Sequence, residues 1–176
     1  MSGHNKWSKI KHKKAASDAK KSKDFSKIVR LLTVEAKAAQ GNRSAPALKA
    51  AIEKARDVNM PSGNIERAIK KGESADASLL LPIVYEAYGP GGVAIIIEAL
   101  TENRNKAAAE IKHILAKRDI PLAGIGAAVW AFQKEGVTWI PKTTVDVSES
   151  DLEKIAELID ELEDNDEVQN VYINAT

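Results

Sequence analysis

The sequence contains no cysteine, which excludes disulfides, thiolate catalysis and cysteine-based zinc sites together. It contains no apolar run near the roughly 20 residues needed to span a bilayer. The N-terminus is basic but has no apolar stretch of the secretory kind, and its charge is too lysine-dominated for an arginine-rich transit peptide. Disorder throughout is excluded as well, because apolar residues make up an ordinary 44% of the chain, enough for a packed core. The 176 residues suit one large domain or two small ones. Taken together, these absences predict a soluble, cytoplasmic protein with no membrane partner. Nothing in the sequence specifies an oligomeric state.

Charge is present in abundance but unevenly placed. Residues 1–72 hold 18 Lys/Arg against 6 Asp/Glu, whereas residues 73–176 hold 8 against 19. Residues 3–23 alone, "GHNKWSKIKHKKAASDAKKSK", carry eight lysines and a single acid. The stretch 146–176 carries 11 acids and only Lys154. Asymmetry of this kind predicts two units with different partners, the basic one suited to a polyanion.

The first unit reads as helical. No Gly or Pro interrupts Lys20 to Gln40, and Phe25, Ile28, Val29, Leu32, Ala36 and Ala39 recur at helical spacing. At 100° per residue with Lys9 at zero, those six lie between about 100° and 200°. Lys9, His12, Lys13, Lys20, Lys23, Lys27 and Arg30 lie between about 300° and 40°, opposite the apolar stripe. A second helix is expected from Pro46 to Asn59. A third, "GNIERAIKK", would be capped by Ser62 and stopped by Gly72. Three helices with short loops make a small bundle.

After a linker at 73–81 the period changes. "PIVYEAYG" and "GVAIIIEAL" read as strands joined in a hairpin by "YGPGG". A helix follows through "NKAAAEIKHILAK", capped by Asn103 or Thr101. Strands are expected at "AAVWAF", "VTWIP" and "TTVDV", then an acidic amphipathic helix "DLEKIAELIDELED" and a last strand "VQNVYIN". The fold class is therefore α+β: an N-terminal three-helix bundle at 1–72, then a two-layer α+β sandwich with a mainly antiparallel sheet at 82–176.

Phosphates need cations in register, and counterion release makes such binding salt-sensitive. The lysine run supplies them nearly free of interleaved glutamate. The bland alternative is a solvated helix face. Lysine acts as a point charge where arginine would read guanine through its fork, so contact with the nucleic-acid backbone is expected over base readout. Trp7 can stack on an exposed base or fold back onto the bundle. His4 and His12 have no cysteine or carboxylate at metal-ligand spacing, which leaves phosphate contact or packing. "YGPGGVA" lacks the Gly-Lys-Ser/Thr ending of a phosphate loop and reads as a turn. "DELEDNDE" lacks the alternating ligands and central glycine of a calcium loop. No nucleophile set, paired carboxylates or cofactor fingerprint stands out, so an enzyme, a metal and a cofactor are not expected.

The string "GHNKWSKIKHKKAASDAKKSKDFSKIVRLLTVEAK" closely resembles the opening of the YebC/PmpR family, which includes the mitochondrial translational activator of cytochrome c oxidase. "NMPSGNIERAIKKG", "YEAYGPGGVAIIIEALTENRNKAAAEIKHIL", "AAVWAF" and "LIDELEDNDEVQNVY" match further segments in the family's order. The resemblance implies a helical bundle, then an α+β domain with a third α/β domain inserted into it. Here "WAFQKEGV" passes directly to "TWIPKTTVDV", so most of that third domain is expected to be missing near 137–138. The resemblance also implies DNA-binding transcriptional regulation, with translation on the ribosome as the alternative. It carries over Gly3, His4, Lys6, Trp7, Lys11, His12, Lys14, Lys20, Lys23 and Arg30 as nucleic-acid contacts. Lys13, where many members have arginine, and Lys27, from its place on the cationic face, complete the set. The expected partners are DNA or ribosomal RNA, with the acidic domain offering a contact to the ribosome or the transcription machinery.

Overall fold

The computed structural model describes residues 18–74 and 80–176, with side chains from Ser22 onward. Its contacts divide the chain into two compact units, one built on the three N-terminal helices and the other on Pro82–Ala99 and Asn103–Thr176.

The helical unit comprises α1 (Asp18–Ala38), α2 (Pro46–Asp57) and α3 (Ser62–Glu73). Pro46 opens α2 at the position where its missing N–H costs nothing. The helix ends at α1 and α2 share one device. Gln40 and Asn59 take positive φ (50° and 59°), and the next N–H reaches back five residues, from Gly41 to Ala36 and from Met60 to Ala55. Met60 thereby turns inward and is buried. The core unites Ile28, Leu32 and Ala36 of α1 with Leu48, Ala51 and Ala55 of α2 and Ile65 and Ile69 of α3. Phe25 packs at its margin, only half-buried.

Two expectations are corrected here. Ser62 does not cap α3: its side chain makes no cap bond, and Pro61 stands at that position with its carbonyl accepting from Asn64 and Ile65. Gly72 does not stop the helix, which runs on to Glu73. Gly72 is instead buried where α3 crosses α1. A Cβ there would strike the Thr33 carbonyl and lie 2.8 Å from Ala36 Cβ. The glycine is thus a contact surface, and the Thr33 hydroxyl completes the crossing by donating to Val29 and, at 3.4 Å, to Ala68.

In the second unit β1 (Leu81–Tyr88), β2 (Ala94–Thr101) and β5 (Val168–Ile173) form one sheet in the order β1-β2-β5. β2 and β5 pair antiparallel, Ile95 with Ile173 and Ile97 with Val171. So short a link as Gly89–Val93 permits only an antiparallel β1–β2 pair. β3 (Phe132–Glu135) and β4 (Thr138–Pro141) form a separate hairpin closed by Gly136 and Val137. Helices α4 (Arg104–Ala116) and α5 (Glu149–Asp164) cover one face of the sheet. Their caps follow from sequence: Asn103 accepts from the N–H groups of Asn105 and Lys106, and Ser148 from that of Asp151.

These helices and antiparallel pairings bear out the α+β class. The strand expected at "AAVWAF" is corrected: Val129–Ala131 is a turn of 3-10 helix, and pairing starts only at Phe132. "TTVDV" contributes a single bridge, Val145 to Ala175, instead of a strand.

Gly72→Ala should lower stability by about 1–3 kcal/mol, because the helix crossing cannot accept the methyl. Gly63→Ala, in the same helix with nothing within 4 Å of its added Cβ, should be neutral or stabilising by up to about 1 kcal/mol. Urea titrations of the two variants side by side would check this; equal effects would mean the crossing has room to adjust.

Candidate nucleic-acid interface

Gly3, His4, Lys6, Trp7, Lys11, His12, Lys13 and Lys14 lie outside the described residues, as does the side chain of Lys20. Lys23 and Arg30 project from α1, each half-buried. Lys27 departs from expectation. It stands opposite the apolar stripe yet is only 8% exposed, and it is engaged in a contact. At Lys27, therefore, α1 is not open to solvent as periodicity alone predicts.

The remaining described cations of the helical unit are open to solvent. Lys37 on α1, Lys49, Lys54 and Arg56 on α2, and Arg67, Lys70 and Lys71 on α3 are all exposed. Lys70 and Lys71 occupy the last turn of α3, where they also complement the helix dipole. Arg43 is committed to an acid: its two terminal nitrogens donate to both Glu66 carboxylate oxygens at 2.7 and 2.6 Å. This bidentate bond raises the Arg43 pKa and lowers that of Glu66.

The second unit presents the opposite character. α5 buries Leu152, Ile155, Leu158, Ile159 and Leu162 and exposes Glu153, Glu157 and Asp164. Lys117 and Arg118 at the end of α4 both donate to Glu161, at 2.5 and 2.6 Å, and hold its carboxyl below the usual range. The one exposed tryptophan among the described residues, Trp130, is tied down by its indole N–H, which donates to the Tyr88 hydroxyl and the Ala127 carbonyl at 2.9 Å each.

One carboxylate in this unit was not signalled by any motif. Glu86 on β1 is 5% exposed and accepts the N–H groups of Gly126, Ala128 and Val129 at 2.7, 2.6 and 2.8 Å. Its own carbonyl takes the Ala123 N–H at 2.8 Å. Burial by itself pushes the carboxyl pKa up, and the three N–H donors together outweigh burial and leave it lowered. The arrangement anchors a loop, not chemistry, since both of its oxygens are held by backbone N–H groups. Among the described residues no group of three His, Cys, Asp or Glu could hold a metal ion, and no helix is long and apolar enough to cross a membrane.

With this geometry in hand, comparison with known proteins places the chain among proteins carrying regulatory names. Residues 5–75 match the model of the TACO1/YebC protein N-terminal domain. Residues 80–138 and 135–175 match, in two pieces, that of the TACO1/YebC second and third domain. A protein of Fervidobacterium nodosum named "Probable transcriptional regulatory protein" is 39% identical over 235 aligned residues, covering 99% of this chain and 93% of the relative. Its namesake in Petrotoga mobilis is 45% identical over 168 residues, covering 94% of this chain and 67% of the relative. The crystal structure of a conserved hypothetical protein from Aquifex aeolicus superposes with a TM-score of 0.82 at 29% identity, covering 95% of each chain. The chain belongs to the TACO1/YebC family. The two family-model pieces meet at the β3–β4 hairpin, and the first alignment is longer than the 176 residues of the chain. The Fervidobacterium relative therefore carries a segment with no counterpart here.

Glu86→Gln should destabilise the second unit by about 1.5–3 kcal/mol at neutral pH, since one amide oxygen cannot serve three donors and its NH2 faces them. A lowered folded pKa means the contribution is present above the unfolded value of 4.5 and disappears as pH falls through the lower folded value. The gap between variant and wild type should accordingly narrow below pH 4.5. Melting curves from pH 7 to pH 3 would test this; a constant gap would show that the charge is not what holds the loop.

Proposed function

We propose that the chain is a nucleic-acid-binding regulator of gene expression that grips the phosphate backbone through its lysine-rich helical unit. The observation that carries this reading is the segregation of charge, 18 Lys/Arg against 6 Asp/Glu in residues 1–72 and the reverse beyond. The row of exposed cations on α1, α2 and α3 supports it, as do the names borne by the relatives. DNA is the first reading of the target. Contacts run through Lys20, Lys23 and Arg30, together with the lysines, Gly3, His4, His12 and Trp7 of the N-terminal stretch. Lys27 shares the cationic face by periodicity, but it is buried and engaged in a contact, so it is left out of this set. Ribosome-directed RNA binding is the second reading. Trp7 favours it, because unpaired bases offer faces on which an indole can stack. The two matched pieces that abut at 135–138 fit the absence of most of the family's third domain.

Lys20→Ala combined with Lys23→Ala should weaken binding to duplexes of unrelated sequence by similar factors. It should also flatten the log–log salt dependence by about 0.9 for each duplex phosphate that is no longer neutralised. Fluorescence anisotropy at several salt concentrations measures both, and an unchanged slope would remove these lysines from the interface. Cross-linking in cells, with DNA and RNA sequenced from one sample, separates the two targets. Reads concentrated on ribosomal RNA support the second reading, and discrete promoter peaks the first.

A further inference from the structure

We infer that the cleft between α2 and α3 is a nucleotide site that takes one unstacked nucleotide of a single strand, its phosphate on Lys49 and Arg56 and its base against isoleucine. The inference deepens the function proposed above and relies on it for the class of ligand.

The cleft follows from how the helices are held. α1 packs extensively against both α2 and α3, whereas α2 and α3 make no comparable contact with each other. Their facing sides therefore diverge, leaving an open cleft of about 450 Å³. That is within the range of small-molecule sites. On the α2 wall stand Lys49, Ile52 and Arg56, spaced three and four apart and so on one helical face. The α3 wall offers Ser62, Ile65 and Glu66 by the same spacing.

Charge in the cleft is unbalanced. Glu66 is its single acid, and both oxygens of that carboxylate are taken by Arg43, which also lines the cleft. Lys49 and Arg56 are exposed, and their side chains make no hydrogen bond or ion pair with any described residue. Two cations are thus left for an anion, with the Ser62 hydroxyl on the opposite wall. Ile52, half-buried, and Ile65, 6% exposed, line the same space. Bare phosphate would gain nothing from them, and a purely apolar ligand would leave the cations unanswered. A nucleotide satisfies both. A base reaches such a cleft only after unstacking, which costs least in a strand that is already single.

The test uses the full chain, adenosine monophosphate and inorganic phosphate as probes, and labelled single-stranded and duplex 12-mers. Adenosine monophosphate should shift the amide signals of Lys49, Ile52, Arg56 and Ile65, and inorganic phosphate should shift those of Ile52 and Ile65 far less. Lys49→Ala with Arg56→Ala should abolish the response and weaken single-strand binding about tenfold, with duplex affinity changed much less. Lys49→Gln with Arg56→Gln, which keeps an unbranched polar side chain and the helix propensity, should do the same, so loss of fold cannot mimic the result. Equal shifts with phosphate and nucleotide would overturn the base-binding part. Unchanged single-strand affinity in both cleft variants, while Lys20→Ala with Lys23→Ala weakens it, would overturn the cleft and leave the proposed function standing. Shifts from the mononucleotide without binding of either 12-mer would refute the wider reading and, with it, the single-strand part of the inference. An acidic peptide that shifts the same amides as strongly as the nucleotide would reassign the cleft to protein ligands and overturn the inference.

Discussion

Strand β2 has to be kept dry on both sides, and the second unit is organised around that requirement. Ile95, Ile97 and Ala99 face the helices α4 and α5, where Ile111, Leu115, Ile155 and Leu158 close over them. Ala94 and Ile96 face the other way and need a separate cover, supplied by Ala128, Ala131 and Phe132 with Trp139 and Tyr172. That cover is a 3-10 turn and a two-stranded hairpin outside the main sheet, so it must be fastened. Glu86 fixes one side through three backbone N–H groups. Glu98 fixes the other, accepting from Trp139 at 2.9 Å and Asn170 at 3.1 Å, with Lys134 set over the Trp139 ring. Burial first, and then the neighbouring Glu98 carboxylate, push the Tyr172 phenol well above its ordinary pKa. Two carboxylates thus hold in place what hydrophobic burial alone would leave loosely attached.

The helical unit solves a different problem, that of placing many like charges on a small body. Its core is made of short side chains at the α1–α3 crossing, where Gly72, Ala36 and Thr33 meet, and of isoleucine and leucine elsewhere. Close approach at the crossing draws α1 and α3 together, while much of the surface of α2 and α3 remains exposed. Cations occupy that outer surface with few acids among them. Self-repulsion is the physical cost of such a surface, and a bound polyanion relieves it.

The sequence made the helices and central strands legible because their signals are local. The stripe from Phe25 to Ala39, the Asn103 cap and the unbroken apolar run of β2 all depend on neighbours in the chain. What escaped depends on partners far along it. Gly72 reads as a stop signal until α1 is laid across it, and Lys27 reads as solvated until its surroundings are counted. "AAVWAF" has strand composition, yet its alanines are small because they press against β2 and the Glu86 carboxylate holds their backbone. Lys49 and Arg56 carried a faint local signal, since they share a helical face with Ile52. Only the divergence of α2 from α3 turns that face into a cleft. Trp7 and the lysines of the N-terminal stretch were legible by type alone.

The tight turn of Gly136 and Val137 joins two strands whose ends, Glu135 and Thr138, are paired directly across the hairpin. Any segment that enters the chain there must leave and return through points only a strand's width apart. A folded insert whose own termini lie side by side meets that condition without disturbing the hairpin below. Loop-closure entropy rises only slowly with insert length, so a two-residue turn and a whole domain are nearly interchangeable for the body that carries them. In this chain two residues close the hairpin, and β2 is covered without any inserted segment.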